Sequence, residues 1–133
     1  PTALLLEKVL GIEPILPGWE KFKIKPNLYD LEWCEGLVPS LAGDIKVKIK
    51  KIRKKRLEVG LQIKAIIPKN TTSRLYVPIQ KNKSFKIEVN KNEIWKNGQF
   101  FQNDSNISFQ KKLDNYVVLE FKPGSYTLNA KIN

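Results

Sequence analysis

From Glu20 onward, apolar residues recur at every second position. Phe22 and Ile24 alternate with Lys21, Lys23 and Lys25; Ile45, Val47 and Ile49 alternate with Lys46, Lys48 and Lys50; Leu57, Val59, Leu61, Ile63 and Ala65 alternate with Glu58, Gln62 and Lys64. A period of two places one set on each face of a pleated strand, so these segments predict half-buried strands. The pattern returns at Leu75, Val77 and Ile79, at Phe85, Ile87 and Val89, at Val117, Leu119 and Phe121, and at Tyr126, Leu128 and Ala130. "PKN", "NKN", "KNGQ", "LDN" and "KPGS" supply turns between them. About eight antiparallel strands at this spacing predict an all-β fold, with a β-sandwich favoured over an up-and-down barrel.

Ahead of this region the period is different. "TALLLEKVLG" predicts a short N-terminal helix: Leu5, Val9 and Ile12 recur near helical spacing, Thr2 can cap the start, and Gly11 suits the left-handed residue after the last turn. Isolated helices under about 12 residues are marginal, so Leu4, Leu5, Leu6, Val9 and Leu10 need a surface to pack on, which points to a neighbouring domain. The chain starts at Pro1 and Thr2 rather than at a methionine or a signal peptide, as expected for a piece of something longer.

Composition narrows the chemistry. With 133 residues and 41% apolar content the chain suits one core. It has no histidine, which removes Ser-His-Asp and Cys-His nucleophile activation and most zinc sites; no metal or cofactor site is expected. A lone Cys34, read as a core thiol, excludes an internal disulfide framework. No apolar run approaches the roughly 20 residues that a membrane-crossing helix needs, and no membrane partner is expected.

The formal charge of +11, from 24 Lys+Arg against 13 Asp+Glu, favours loose contact with nucleic acid, acidic lipid or acidic polysaccharide. Much of it sits in "KVKIKKIRKKRLEVGLQI", residues 46–63. Lys46, Lys48 and Lys50 read as the outward face of a strand, with Lys51 to Arg56 as the connection to the next. Outward lysines also discourage edge-to-edge pairing of sheets. Nucleic-acid platforms interleave aromatics with basic residues for stacking, and none occurs between Lys46 and Ile67, so nucleic acid is disfavoured as a partner.

Two further groups bear on sugars. Asp30 and Glu32 fall on one face of a strand at a spacing compatible with the roughly 6.5–9.5 Å of an inverting glycosidase pair, but any alternating polar face offers that, and no catalytic residue is assigned. Glu7 and Glu35 read as a solvated helix residue and a loop residue. Trp95, Phe100 and Phe101 surround the "KNGQ" turn and, with Tyr76, would be carbohydrate contacts if exposed; the alternative is that Trp95 and one phenylalanine cap the core. Trp19 and Trp33 are expected in the core or at a domain contact.

The stretch "GIEPILPGWEKFKIKPNLYDLEWCEGLVPSLAGDIKVKI" carries Gly11, Ile12, Pro14, Pro17, Gly18, Trp19, Ile24, Pro26, Leu31, Trp33, Gly36, Pro39, Gly43, Ile45 and Val47 in an order that resembles the C-terminal β-sandwich domain of bacterial α-L-rhamnosidases of glycoside hydrolase family 78. "IIPKNTTSRLYVPI" and "FKPGSYTL" continue the resemblance. It implies a non-catalytic accessory domain at residues 14–133, with residues 1–13 as the tail helix of an upstream (α/α)₆ catalytic domain touched through Leu4, Leu6, Leu10 and Trp19. The parent enzyme would hydrolyse terminal α-L-rhamnosides with inversion, take rhamnose-containing plant or bacterial polysaccharide, and suit a periplasmic or secreted setting. The alternatives are a carbohydrate-binding module using exposed aromatics and, more weakly, a basic nucleic-acid-binding domain.

Overall fold

The alternating segments pair into two sheets whose inward side chains meet in one core. The computed structural model describes residues 10–15, 20–28, 31–40 and 43–132. Among them are twelve strands and no α-helix: β1 (Ile12–Pro14), β2 (Lys21–Ile24), β3 (Trp33–Ser40), β4 (Gly43–Lys54), β5 (Leu57–Ile67), β6 (Thr72–Pro78), β7 (Phe85–Val89), β8 (Asn92–Lys96), β9 (Gln99–Phe100), β10 (Ile107–Lys112), β11 (Tyr116–Phe121) and β12 (Gly124–Ile132). The expected helix over Thr2 to Leu10 lies almost wholly outside the described residues.

One sheet runs β1-β2-β6-β11-β10 and the other β3-β4-β5-β12-β7-β8-β9. All neighbours are antiparallel except β2 and β6, which pair in parallel from Lys21↔Thr72 to Ile24↔Leu75. Every edge is protected: β1 and β9 are short, β3 carries Pro39, and β10 is bulged between Phe109 and Lys111. These are the usual devices against adding another strand. The lysines of β4 do not serve that purpose, because β4 lies between β3 and β5.

The core is filled by the predicted inward set. Phe22, Ile24, Ile45, Ile49, Ile63, Ile87, Leu119, Phe121 and Leu128 are all buried, each contributing about 1.5–3 kcal/mol by leaving water. Leu10 and Ile12 join this core, so the sandwich includes residues on both sides of the expected boundary after residue 13. Gly11 makes this possible. It has φ of 62°, its carbonyl accepts the Lys25 amide at 3.1 Å, and a Cβ there would run into the Lys25 carbonyl.

Three hairpins close with two residues in the left-handed region: Lys55-Arg56, Asn90-Lys91 and Asn97-Gly98. These turns match the right-handed twist of the strands they join. At the first of them the reading of Lys51 to Arg56 as a connection is corrected. Strand β4 runs on to Lys54, paired with Leu57, and only Lys55 and Arg56 turn.

Candidate functional site

Strands β3, β4, β5 and β12 lie side by side, and their outward residues line up in three rows across the sheet. Leu37, Lys46, Ile66 and Ser125 form the first; Glu35, Lys48, Lys64 and Thr127 the second; Trp33, Lys50, Gln62 and Asn129 the third. The first two rows line a shallow groove of about 600 Å³, and the third row lies beside it on the same twisted face. Trp33 is 56% exposed, and Leu37 and Ile66 are also exposed. Trp33 therefore lies neither in the core nor out of reach of the lysines. The Lys48 ammonium stands 5.7 Å from the centre of its ring, a cation–π distance.

Charge on this face is unbalanced. Lys48 and Lys64 are register partners, and like charges directly opposed on a sheet destabilise it. Glu35, a β3 residue rather than a loop residue, is the acidic side chain in their row. Among the described residues Lys46, Lys48, Lys50 and Lys64 form no ion pair. Gln62 Nε2 donates to Asn129 Oδ1 at 3.1 Å, tying β5 to β12 at the groove's end.

The inner side of β3 is inert. Cys34 is buried, and burial first, then the nearby Glu35 charge, pushes its thiol pKa up and keeps it protonated.

A second polar cluster closes one end of the sandwich. Arg53 Nε donates to both Glu32 carboxylate oxygens at 2.9 and 3.0 Å, and Nη1 donates to the Arg56 carbonyl at 2.9 Å. The hydrogen bond from Arg53 holds the Glu32 pKa below the usual glutamate range. A glycosidase acid needs the opposite shift, toward a proton retained near neutrality. Asp30, its suggested partner, lies outside the described residues.

The comparisons with known proteins bear on the whole of this architecture. The model of the family described as "Bacterial alpha-L-rhamnosidase C-terminal domain" matches residues 11–92. This chain belongs to that family. No curated protein sequence matches it. Among solved structures, an alpha-L-rhamnosidase from Dictyoglumus thermophilum is similar with a TM-score of 0.76 and 19% identity over 97% of this chain. One from Streptomyces avermitilis, solved with L-rhamnose, is similar with a TM-score of 0.68 and 16% identity over 95% of this chain. The chain spans 13% and 10% of those two proteins, whose likeness establishes the shared fold.

In this rhamnosidase C-terminal domain the aromatic residues singled out from sequence form no exposed platform: Trp95 and Phe100 meet around Phe109, and Tyr76 lies apart. Trp95 is 3% exposed in the core, its ring stacked on Phe109 with centroids 5.6 Å apart. Phe100, half-buried, packs on the same Phe109 at 5.7 Å, and Phe101 is half-buried beside them in sequence. Tyr76 is elsewhere, on the outer face of the five-stranded sheet. It meets Tyr116 edge-on at 6.0 Å, with the Lys25 ammonium 5.5 Å from one ring and 5.0 Å from the other. Leu10 is fully buried, while Leu4, Leu6 and Trp19 lie outside the described residues.

The groove escaped sequence reasoning because its aromatic residue is on another strand. Trp33 and Lys50 are 17 positions apart in sequence but face each other in register. A signal existed: in "WCEGLV" the larger Trp33, Glu35 and Leu37 alternate with the smaller Cys34, Gly36 and Val38, which is compatible with a strand carrying its bulk outward.

Proposed function

We propose that this domain is a non-catalytic accessory domain of an α-L-rhamnosidase, packed on an upstream (α/α)₆ catalytic domain of the same chain and stabilising it. The observation that carries this reading is the likeness of nearly the whole chain to a small part of two α-L-rhamnosidases, joined to the family match. The local chemistry agrees with a non-catalytic role. Glu32, the described member of the carboxylate pair, is held ionised by Arg53.

In this reading the segment before Leu10 is the tail of the barrel's last helix. Leu4, Leu6 and Trp19, with Ile15, which is exposed just after β1, supply apolar contact. The parent hydrolyses terminal α-L-rhamnosides with inversion, acting on rhamnose-containing polysaccharide.

The test removes the domain from the longer enzyme. Deletion is expected to lower the melting temperature while the remaining active enzyme keeps its KM for an aryl α-L-rhamnoside, and the 133-residue chain alone is expected to release no aglycone. Release of aglycone by the isolated chain that disappears in Glu32→Gln would overturn the reading.

A further inference from the structure

We propose that the groove on the seven-stranded sheet is a binding site for an acidic polysaccharide, one whose sugars carry carboxylates. This inference stands on the groove itself and does not require the accessory-domain reading. The groove belongs to the seven-stranded sheet, whereas β1 pairs into the five-stranded one.

Three features of the face select this ligand. First, the ammonium groups come in rows at sheet spacing. Lys46, Lys48 and Lys50 repeat about every 7 Å along β4, with Lys64 roughly 5 Å from Lys48 across the ladder. They form no ion pair among the described residues, and with Glu35 as the one acidic side chain in those rows they leave a net positive strip whose mutual repulsion an anionic chain would relieve. Second, Trp33 offers one broad exposed ring at the edge of that strip, enough to stack a single pyranose face. Third, β12 carries short neutral polar side chains alongside the lysine strands. Ser125 and Thr127 on β12 carry hydroxyls, and the Gln62–Asn129 pair leaves an amide carbonyl and an amide nitrogen for sugar hydroxyls.

A nucleic acid fits this face less well. Single-stranded nucleic acids are held by successive aromatic rings, one base to a ring, and phosphate is gripped best by the forked guanidinium of arginine. The outward rows of this face hold one ring, Trp33, and their four cations, Lys46, Lys48, Lys50 and Lys64, are all lysines.

The experiment is an amide NMR titration of the 133-residue chain with a hexamer of α-1,4-linked galacturonate. A neutral xylohexaose and a twelve-nucleotide oligo-thymidylate serve as comparison probes, each at low and high salt. The expected result is shifts confined to β3, β4, β5 and β12 with the acidic hexamer. Raising the salt should weaken this binding, as should Lys48→Gln with Lys64→Gln, by about fivefold. Trp33→Ala, at an exposed position that should leave the fold intact, should weaken what remains at high salt. Stronger binding of the oligo-thymidylate at the groove would overturn the proposal in favour of nucleic acid. Equal response to the neutral hexamer, no response to the acidic one, or indifference to the lysine substitutions in a variant with an unchanged amide spectrum elsewhere would each overturn it outright.

Discussion

The Arg53 guanidinium straddles the Glu32 carboxylate, with Nε 2.9 and 3.0 Å from its two oxygens and Nη2 2.7 Å from Oε1. The pair pins the residues before β3 to the end of β4, and the Lys51 amide donates to the Glu32 carbonyl at 2.9 Å beside it. Because Arg53 favours the ionised form, Glu32 titrates below an ordinary glutamate. Its folded pKa is thus depressed, so the contribution to stability is present above the unfolded glutamate pKa and is lost as pH falls through the folded value. An NMR titration of the Glu32 side-chain carboxyl should give a midpoint below that of free glutamate, and Arg53→Gln should return it to the usual range. An unchanged midpoint in that variant would contradict the pairing.

Tyr126 and Gly124 explain the "PGSY" motif at the start of β12. The Tyr126 hydroxyl donates to the Lys122 carbonyl at 2.7 Å, closing the corner between β11 and β12, and its ring meets Phe121 edge-on at 4.8 Å. Gly124 has φ of 152°, and a Cβ there would lie 3.2 Å from the tyrosine oxygen. Tyr126→Phe should cost about 1–2 kcal/mol in urea unfolding, since it leaves the corner carbonyl without this donor. Burial raises the Tyr126 pKa. A raised folded pKa means stability present below the unfolded value and lost as pH rises through the folded one. The native chain should therefore weaken above about pH 10 more steeply than the phenylalanine variant.

Gly60 tests how tightly β5 and β12 approach. A Cβ at this position would run into the Ala130 carbonyl and lie 2.6 Å from the Lys131 Cα, both backbone atoms that cannot swing away. Gly60→Ala should destabilise by about 2 kcal/mol or more. Gly98→Ala is the useful contrast. That site has open space around it but φ of 84°, so only the turn strain of about 1 kcal/mol is expected. Equal costs at the two sites, read from denaturant midpoints, would mean that the β5 and β12 backbones give way around the added Cβ and that crowding does not dominate at Gly60.

The Lys55-Arg56 turn places two bulky side chains at φ of 52° and 71°. An Asn-Gly pair adopts this conformation more readily, so the double substitution Lys55→Asn with Arg56→Gly should raise stability by about 1 kcal/mol without altering the β4–β5 register. Thermal unfolding together with the β4–β5 cross-strand NOEs would check both halves of that expectation.

This same turn shows where the sequence was hard to read. With neither Asn nor Gly present, the basic run looked like a long connection, because turn chemistry is normally recognised by those residues. Strands β2, β4, β5, β6, β7, β11 and β12 were legible since each buries one whole face, which enforces a period of two. Strands β1, β9 and β10 were not, being short or edge elements with one or two inward residues. In β8, consecutive Ile94 and Trp95 are both buried, which erases the alternation. Strand β3 hid its pattern by pointing Trp33 and Leu37 outward and Gly36 inward.

By itself, then, the sequence determined the class of fold, the inward residues of the long strands and the outward direction of Lys46, Lys48 and Lys50, because alternation is a local consequence of chain geometry; the rhamnosidase C-terminal family was legible as a resemblance carried by the ordered residues from Gly11 to Val47. Only the tertiary structure decided which surfaces those residues make. It buried Trp95 against Phe109, sent Tyr76 to the other sheet, paired Glu32 with Arg53, and set Trp33 beside Lys48. The reason is physical: strand order and register are fixed by the joint burial of two sheets, a cooperative property of the whole core, and residues far apart in sequence become neighbours only once that register is chosen.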